Sequence, residues 1–184
     1  MSPHWEFLKS SWIGPILRLE DNRDEIRPTL DKSFPMLRIV RCLALAQDNK
    51  EEREACLYAA DRVFLYIGVL ASSLESHPTC VKLVDAWPVE VGTAYEEMAV
   101  QRKPVALVIL AYYAVLMSMK PNCWWFSGWP EILLESIDRI LGEDWAELLR
   151  WPKEIIHGGG KFRLPSETEL YSTQAHPIYM SSDL

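Results

Sequence analysis

The sequence predicts an all-α fold: a single-domain helical bundle around a central hydrophobic helix with an apolar pocket. Three observations carry that expectation. Apolar residues recur at three- and four-residue intervals through most of 33–157, prolines and glycines punctuate the ends of those periodic stretches, and the alternation of a half-buried strand is missing. At 184 residues the chain has the size of one domain and enough length to bury a continuous core.

Residues 1–32 read as an N-terminal arm. Trp5, Leu8, Trp12 and Ile16 stand at helical spacing, while Gly14-Pro15 and Arg27-Pro28 interrupt it, so the arm should hold a short helix that docks on the body. The body, 33–157, opens with Ser33 as a cap and Pro35 in the first turn of a helix whose stripe is Leu37, Val40, Ala44 and Leu45, up to Gln47. Asn49 can cap the next helix, and Glu51 and Glu52 suit the positive end of its dipole. Its inner stripe runs through Cys56, Ala60, Val63, Phe64, Ile67 and Leu70 toward Ser73. A short helix from Pro78 to Ala86 should stop at Trp87-Pro88, and another, from about Pro88 to Arg102, should stop before Pro104. Pro104 opens a stretch that is apolar all round, PVALVILAYYAVLMSM, as a helix enclosed by protein must be. Lys120-Pro121-Asn122 turns the chain into CWWFSGW and a helix ending at Gly142. Residues 143–157 make a last helix with Pro152 as a kink, closed by Gly158-Gly159-Gly160. The remainder, 158–184, reads as an extended C-terminal tail whose Leu164, Leu170, Tyr171, Ile178 and Tyr179 allow docking along the body.

Charge and motifs exclude several functions. A net charge of −7 and a pI near 5.1 argue against direct nucleic-acid contact, which draws its affinity from clustered Lys and Arg. Cys42, Cys56, Cys80 and Cys123 lie far apart with no CxxC pair, so they read as reduced core thiols, with no metal expected. The first residues carry charge and tryptophan where a secretory signal needs an apolar run, which predicts an intracellular protein, cytoplasmic or nuclear. The longest apolar run, Val105 to Met117, is shorter than the ~20 residues of a membrane span, so no transmembrane segment is expected. GxSxG, HExxH and a phosphate-cradling glycine loop before a helix are missing, which leaves no expected cofactor.

Three motifs stand in order between Arg102 and Pro152: R-K-P-V-A-L-V-I-L-A-Y-Y-A-V-L, then C-W-W-F-S-G-W, then E-D-W-A-E-L-L-R-W-P. In this arrangement the segment resembles the C-terminal regulatory domain of fungal zinc-cluster transcription factors of the sterol uptake control type. That resemblance implies a helical domain with a deep hydrophobic pocket for a sterol, coupled in the family to an N-terminal cysteine cluster that binds DNA. This sequence departs from the pattern in three places. It shows no six-cysteine motif and no basic linker, it carries Ala111-Tyr112-Tyr113 where the family often has A-H-Y, and it continues past Trp151-Pro152.

The candidate ligand-binding residues are Phe64, Ile67, Tyr112, Tyr113, Leu116, Met119, Trp124, Trp125, Phe126 and Trp129. Aromatic faces supply contact area at small entropic cost, and Met adapts to an irregular apolar guest. The competing expectation for each is plain core packing. Asp61 and His157 are candidate proton carriers, but Asp61 fits a solvated or paired helix position and His157 fits the negative end of a helix dipole. The resulting expectation is a protein that binds an apolar polycyclic small molecule, sterol or terpenoid-like, in a helical pocket. The alternative is a stand-alone natural-product enzyme, a cyclase, isomerase or pericyclase such as a Diels-Alderase, that orients a reactive hydrophobic intermediate without a cofactor. A third reading is a helix bundle with no ligand, serving dimerisation, as a homodimer, or the binding of a partner, with the arm at Trp5 and Trp12 as the exposed apolar patch.

Overall fold

A computed structural model describes residues 34–72, 78–119 and 127–158, and every element in them is helical. The α-helices are α1 (Pro35–Leu45), α2 (Lys50–Ser72), α3 (Pro78–Glu90), α4 (Gly92–Val100), α5 (Pro104–Ser118), α6 (Trp129–Leu141) and α7 (Ala146–His157), with a 3-10 turn at Glu143–Trp145 before α7. The fold is all-α. The expectations for the N-terminal arm, for Trp124 to Phe126 and for most of the tail lie outside the described residues.

Helix α5 packs against each of the other six, and twelve of its side chains, from Val105 to Met117 with Leu110 excepted, are buried. An all-round apolar sequence has no wet face to offer, so its stable place is inside a shell of other helices. Helix α2 crosses the same core and is buried from Ala59 to Ile67 apart from Asp61, a wider interior than the single stripe read from the sequence. Arg62 lies in that interior at 2% exposure.

Several helix ends follow the sequence signals. The Asn49 side chain accepts a hydrogen bond from the Glu51 amide at 2.9 Å, capping α2. Gly142, with φ +71°, ends α6 in a conformation that glycine adopts without steric cost. At the start of α1, however, Phe34 rather than Ser33 holds the cap position and makes no side-chain cap; Pro35 fixes the first turn through its own φ. Helix α4 closes with the Lys103 amide bonded to the Met98 carbonyl and the Arg102 amide bonded to the Ala99 carbonyl, both at 3.0 Å. That closure puts Arg102 at φ 59°, where a non-glycine residue is strained.

The predicted stop at Trp87-Pro88 does not occur. Helix α3 continues through Pro88 to Glu90, and the break comes at Val91–Gly92, where Gly92 has φ +75°. Pro152 likewise sits within α7. A proline inside a helix removes one backbone N–H and presses on the carbonyl four residues earlier, so Val84 and Leu148 each lose a helical partner. Tertiary contacts supply both replacements, as described below.

Candidate functional site

Tyr112 and Tyr113 are adjacent on α5, about 100° apart around its axis, and meet different neighbours. The Tyr113 hydroxyl donates to the Val84 carbonyl at 3.1 Å, and the Tyr112 hydroxyl donates to the Leu148 carbonyl at 3.2 Å. Those are the two carbonyls that Pro88 and Pro152 deprive of a helical partner. Each tyrosine also stacks on the tryptophan that precedes its proline: Tyr113 on Trp87 at 4.5 Å and 18°, Tyr112 on Trp151 at 5.7 Å and 20°. One local arrangement thus occurs twice, with a Trp-Pro pair inside a helix, a tyrosine ring on the Trp, and its hydroxyl on the freed carbonyl. A buried carbonyl left bare costs about 1–3 kcal/mol, which is why both helices tolerate their prolines in place.

Of the predicted site residues, Phe64 and Tyr112 fall in one aromatic cluster and Tyr113 in another. The first is a ladder of Phe34, Phe64, Tyr112 and Trp151 with centroid separations of 5.7 Å for Phe34–Phe64, 4.6 Å for Phe64–Tyr112 and 6.2 Å for Phe34–Trp151. It joins α1, α2, α5 and α7, and its rings touch one another. The second holds Trp87, Tyr95 and Tyr113, with Trp87 edge-on to Tyr95 at 5.4 Å. Here the Trp87 indole donates to the Ala59 carbonyl at 3.0 Å and the Tyr95 hydroxyl to the Ala106 carbonyl at 2.9 Å. Ile67 and Leu116 are fully buried, and Met119 is half-buried at the end of α5. Trp129 departs from its expected place in a buried wall. It stands 61% exposed in the first turn of α6, where Leu134 and Ile137 turn inward instead.

Burial raises the pKa of every tyrosine in these clusters. Tyr113 is pushed up to about 12 by burial first and by Asp85 second, and Tyr112 and Tyr95 rise by burial first, with Glu147 and Cys56 respectively adding to it. They are neutral donors at physiological pH. Neither candidate proton carrier joins them. Asp61 is paired with Arg41 at 2.7 Å, and His157 is exposed at the end of α7.

Sequence reasoning missed a polar cluster between α2 and α3. Arg62 Nε lies 2.8 Å from Glu90 Oε2, the Tyr66 hydroxyl donates to the same carboxylate at 2.6 Å, and the guanidinium lies over the Tyr58 and Tyr66 rings at 5.7 and 5.3 Å. Burial works against the Arg62 charge, but Glu90, with Tyr66 and Tyr58 beside it, acts the other way and the net effect raises the pKa. A charge this deep is stable only when paired and hydrogen-bonded. Cys56 is buried as expected, with its thiol 3.7 Å from the Met98 sulfur and its pKa pushed up to about 11, by burial first and by Glu52 second. Cys42, expected in the core, is exposed on α1. Among the described residues no three His, Cys, Asp or Glu side chains converge as metal ligands.

No protein-family model, no curated protein and no solved structure matches this chain. No single helix among the described residues is long and apolar enough to cross a membrane; α4 and α5 together meet the length and composition, but they bend by 104° at their junction.

Proposed function

We propose that the chain binds an apolar polycyclic molecule, sterol or terpenoid-like, against the Phe34–Phe64–Tyr112–Trp151 ladder, in the manner of the regulatory domain it resembles. The observation that supports this reading is the chemistry of the ladder. It offers aromatic faces from three helices and from the cap residue of α1, its one hydroxyl is committed to the Leu148 carbonyl, and that hydroxyl stays neutral. A guest bound there gains apolar contact at roughly 25 cal/mol for each Å² removed from water, and none of the four ladder side chains is charged. Phe34 stands at the cap position before α1, outside the regular helices, and the guest enters by parting it from Phe64 and Trp151.

The test is a titration of intrinsic tryptophan fluorescence in the full chain with ergosterol and a panel of cyclic terpenoids. A saturable change that weakens at least threefold in Phe34→Ala and loses amplitude in Trp151→Phe supports the proposal. No saturable response to any compound removes it. Conversion of a linear polyene precursor to a cyclised product, detected by mass spectrometry, replaces it with the cofactor-free cyclase.

A further inference from the structure

Helices α6 and α7 form an antiparallel hairpin, joined by the short turn at Glu143–Trp145 and pinned by Asp138 and Lys153, whose charged atoms lie 2.6 Å apart. Stepping equally along both helices from that pair brings His157, the last residue of α7, level with Leu134 on α6. The chain thus leaves α7 beside the N-terminal half of α6. Trp129 and Ile132, one turn apart there and each 61% exposed, make an apolar face with no cover among the described residues. Glu131 and Glu135 flank it, and Glu131 Oε2 is shielded from water without a hydrogen-bond partner. A shielded carboxylate oxygen of that kind is an acceptor awaiting a donor.

We propose that the segment Lys161-Phe162-Arg163-Leu164 folds back as a strap on this face of α6. From Leu134 to Trp129 is about 7.5 Å along the helix axis at 1.5 Å per residue. Gly158-Gly159-Gly160 spans up to ~10 Å when extended, so Lys161 and Phe162 are the first side chains able to lie over Ile132 and Trp129. In an extended strap Phe162 and Leu164 share a side and meet the two apolar residues, while Lys161 and Arg163 bring positive charge to the Glu131–Glu135 rim. The occupant is this chain's own segment because its charge is complementary, it emerges at the right end of the hairpin, and its linker has the length to reach.

The test is nuclear magnetic resonance on the labelled full chain, with the Trp129 indole signal assigned by its loss in Trp129→Phe. Nuclear Overhauser contacts between the Trp129 indole and the Phe162 ring are expected, with their loss in Phe162→Ala at unchanged helical circular dichroism. Arg163→Glu should weaken them, and the added change Glu131→Arg should restore them. No contact from Trp129 to Phe162 or Leu164 overturns the proposal. Contacts from Trp129 to a second copy in a mixed-label sample, or to residues 1–33, also overturn it.

Discussion

The pairing of Tyr113 with Pro88 can be tested by restoring the hydrogen bond that the proline removed. Tyr113→Phe keeps the ring on Trp87, 4.5 Å away, but takes the hydroxyl from the Val84 carbonyl, 3.1 Å away. That carbonyl lies inside the molecule and its helical donor is gone, so the substitution should cost about 1–3 kcal/mol of unfolding free energy. Pro88→Ala returns an N–H in register with the same carbonyl. In that background Tyr113→Phe leaves Val84 with a donor, and its cost should fall to under about 1 kcal/mol, the scale of one exchangeable hydrogen bond. The double-mutant cycle then shows a coupling of about 1–2 kcal/mol, well beyond the ~0.5 kcal/mol within which independent sites add. Urea unfolding at pH 7, followed by far-ultraviolet circular dichroism, measures all four proteins. If Tyr113→Phe costs the same with and without Pro88, the hydroxyl does not replace the missing backbone donor and the account of how α3 tolerates its proline is wrong.

Further predictions concern charge, backbone and pH. Glu90→Ala should destabilise by about 3–5 kcal/mol in urea because it strands the buried Arg62 charge, whereas Arg62→Met with Glu90→Leu should recover most of that loss. Arg102→Gly should raise stability by about 0.5–1 kcal/mol, since φ 59° strains any L-residue, and an unchanged or lower midpoint would contradict it. Cys56 and Tyr113 have folded pKa values raised to about 11 and about 12, so the folded protein holds protons that the unfolded chain releases. The contribution of these two groups should be constant below about pH 8.5, then fall by up to ~1.4 kcal/mol per pH unit for each, from the ordinary thiol range to pH 11 for Cys56 and from about pH 10 to pH 12 for Tyr113. Urea midpoints at pH 8 and pH 10.5 check the direction, and Cys56→Ala should flatten the lower part of the decline.

The sequence by itself determined the helical class, most of the helix boundaries and the burial of α5. Those features depend on local periodicity, turn chemistry and the absence of a wet face on PVALVILAYYAVLMSM, all of which are written in consecutive residues. It also placed Asn49 at a cap and Gly142 at a helix end, because capping is a contact between near neighbours. Only the tertiary structure decided that Pro88 lies inside a helix, because the donor that compensates for it sits on Tyr113, twenty-five positions away in the numbering. The repeated Trp-Pro pairs and the adjacent tyrosines were the available signal, but nothing local says which hydroxyl meets which carbonyl. The same reason divides the proposed binding residues. Tyr112 and Tyr113 are neighbours in sequence, yet successive positions on a helix face about 100° apart and so enter different clusters. Trp129 looked like its fellow tryptophans by composition and lies outside because the inward face of α6 belongs to Leu134 and Ile137, a choice fixed by where α5 and α7 lie against it.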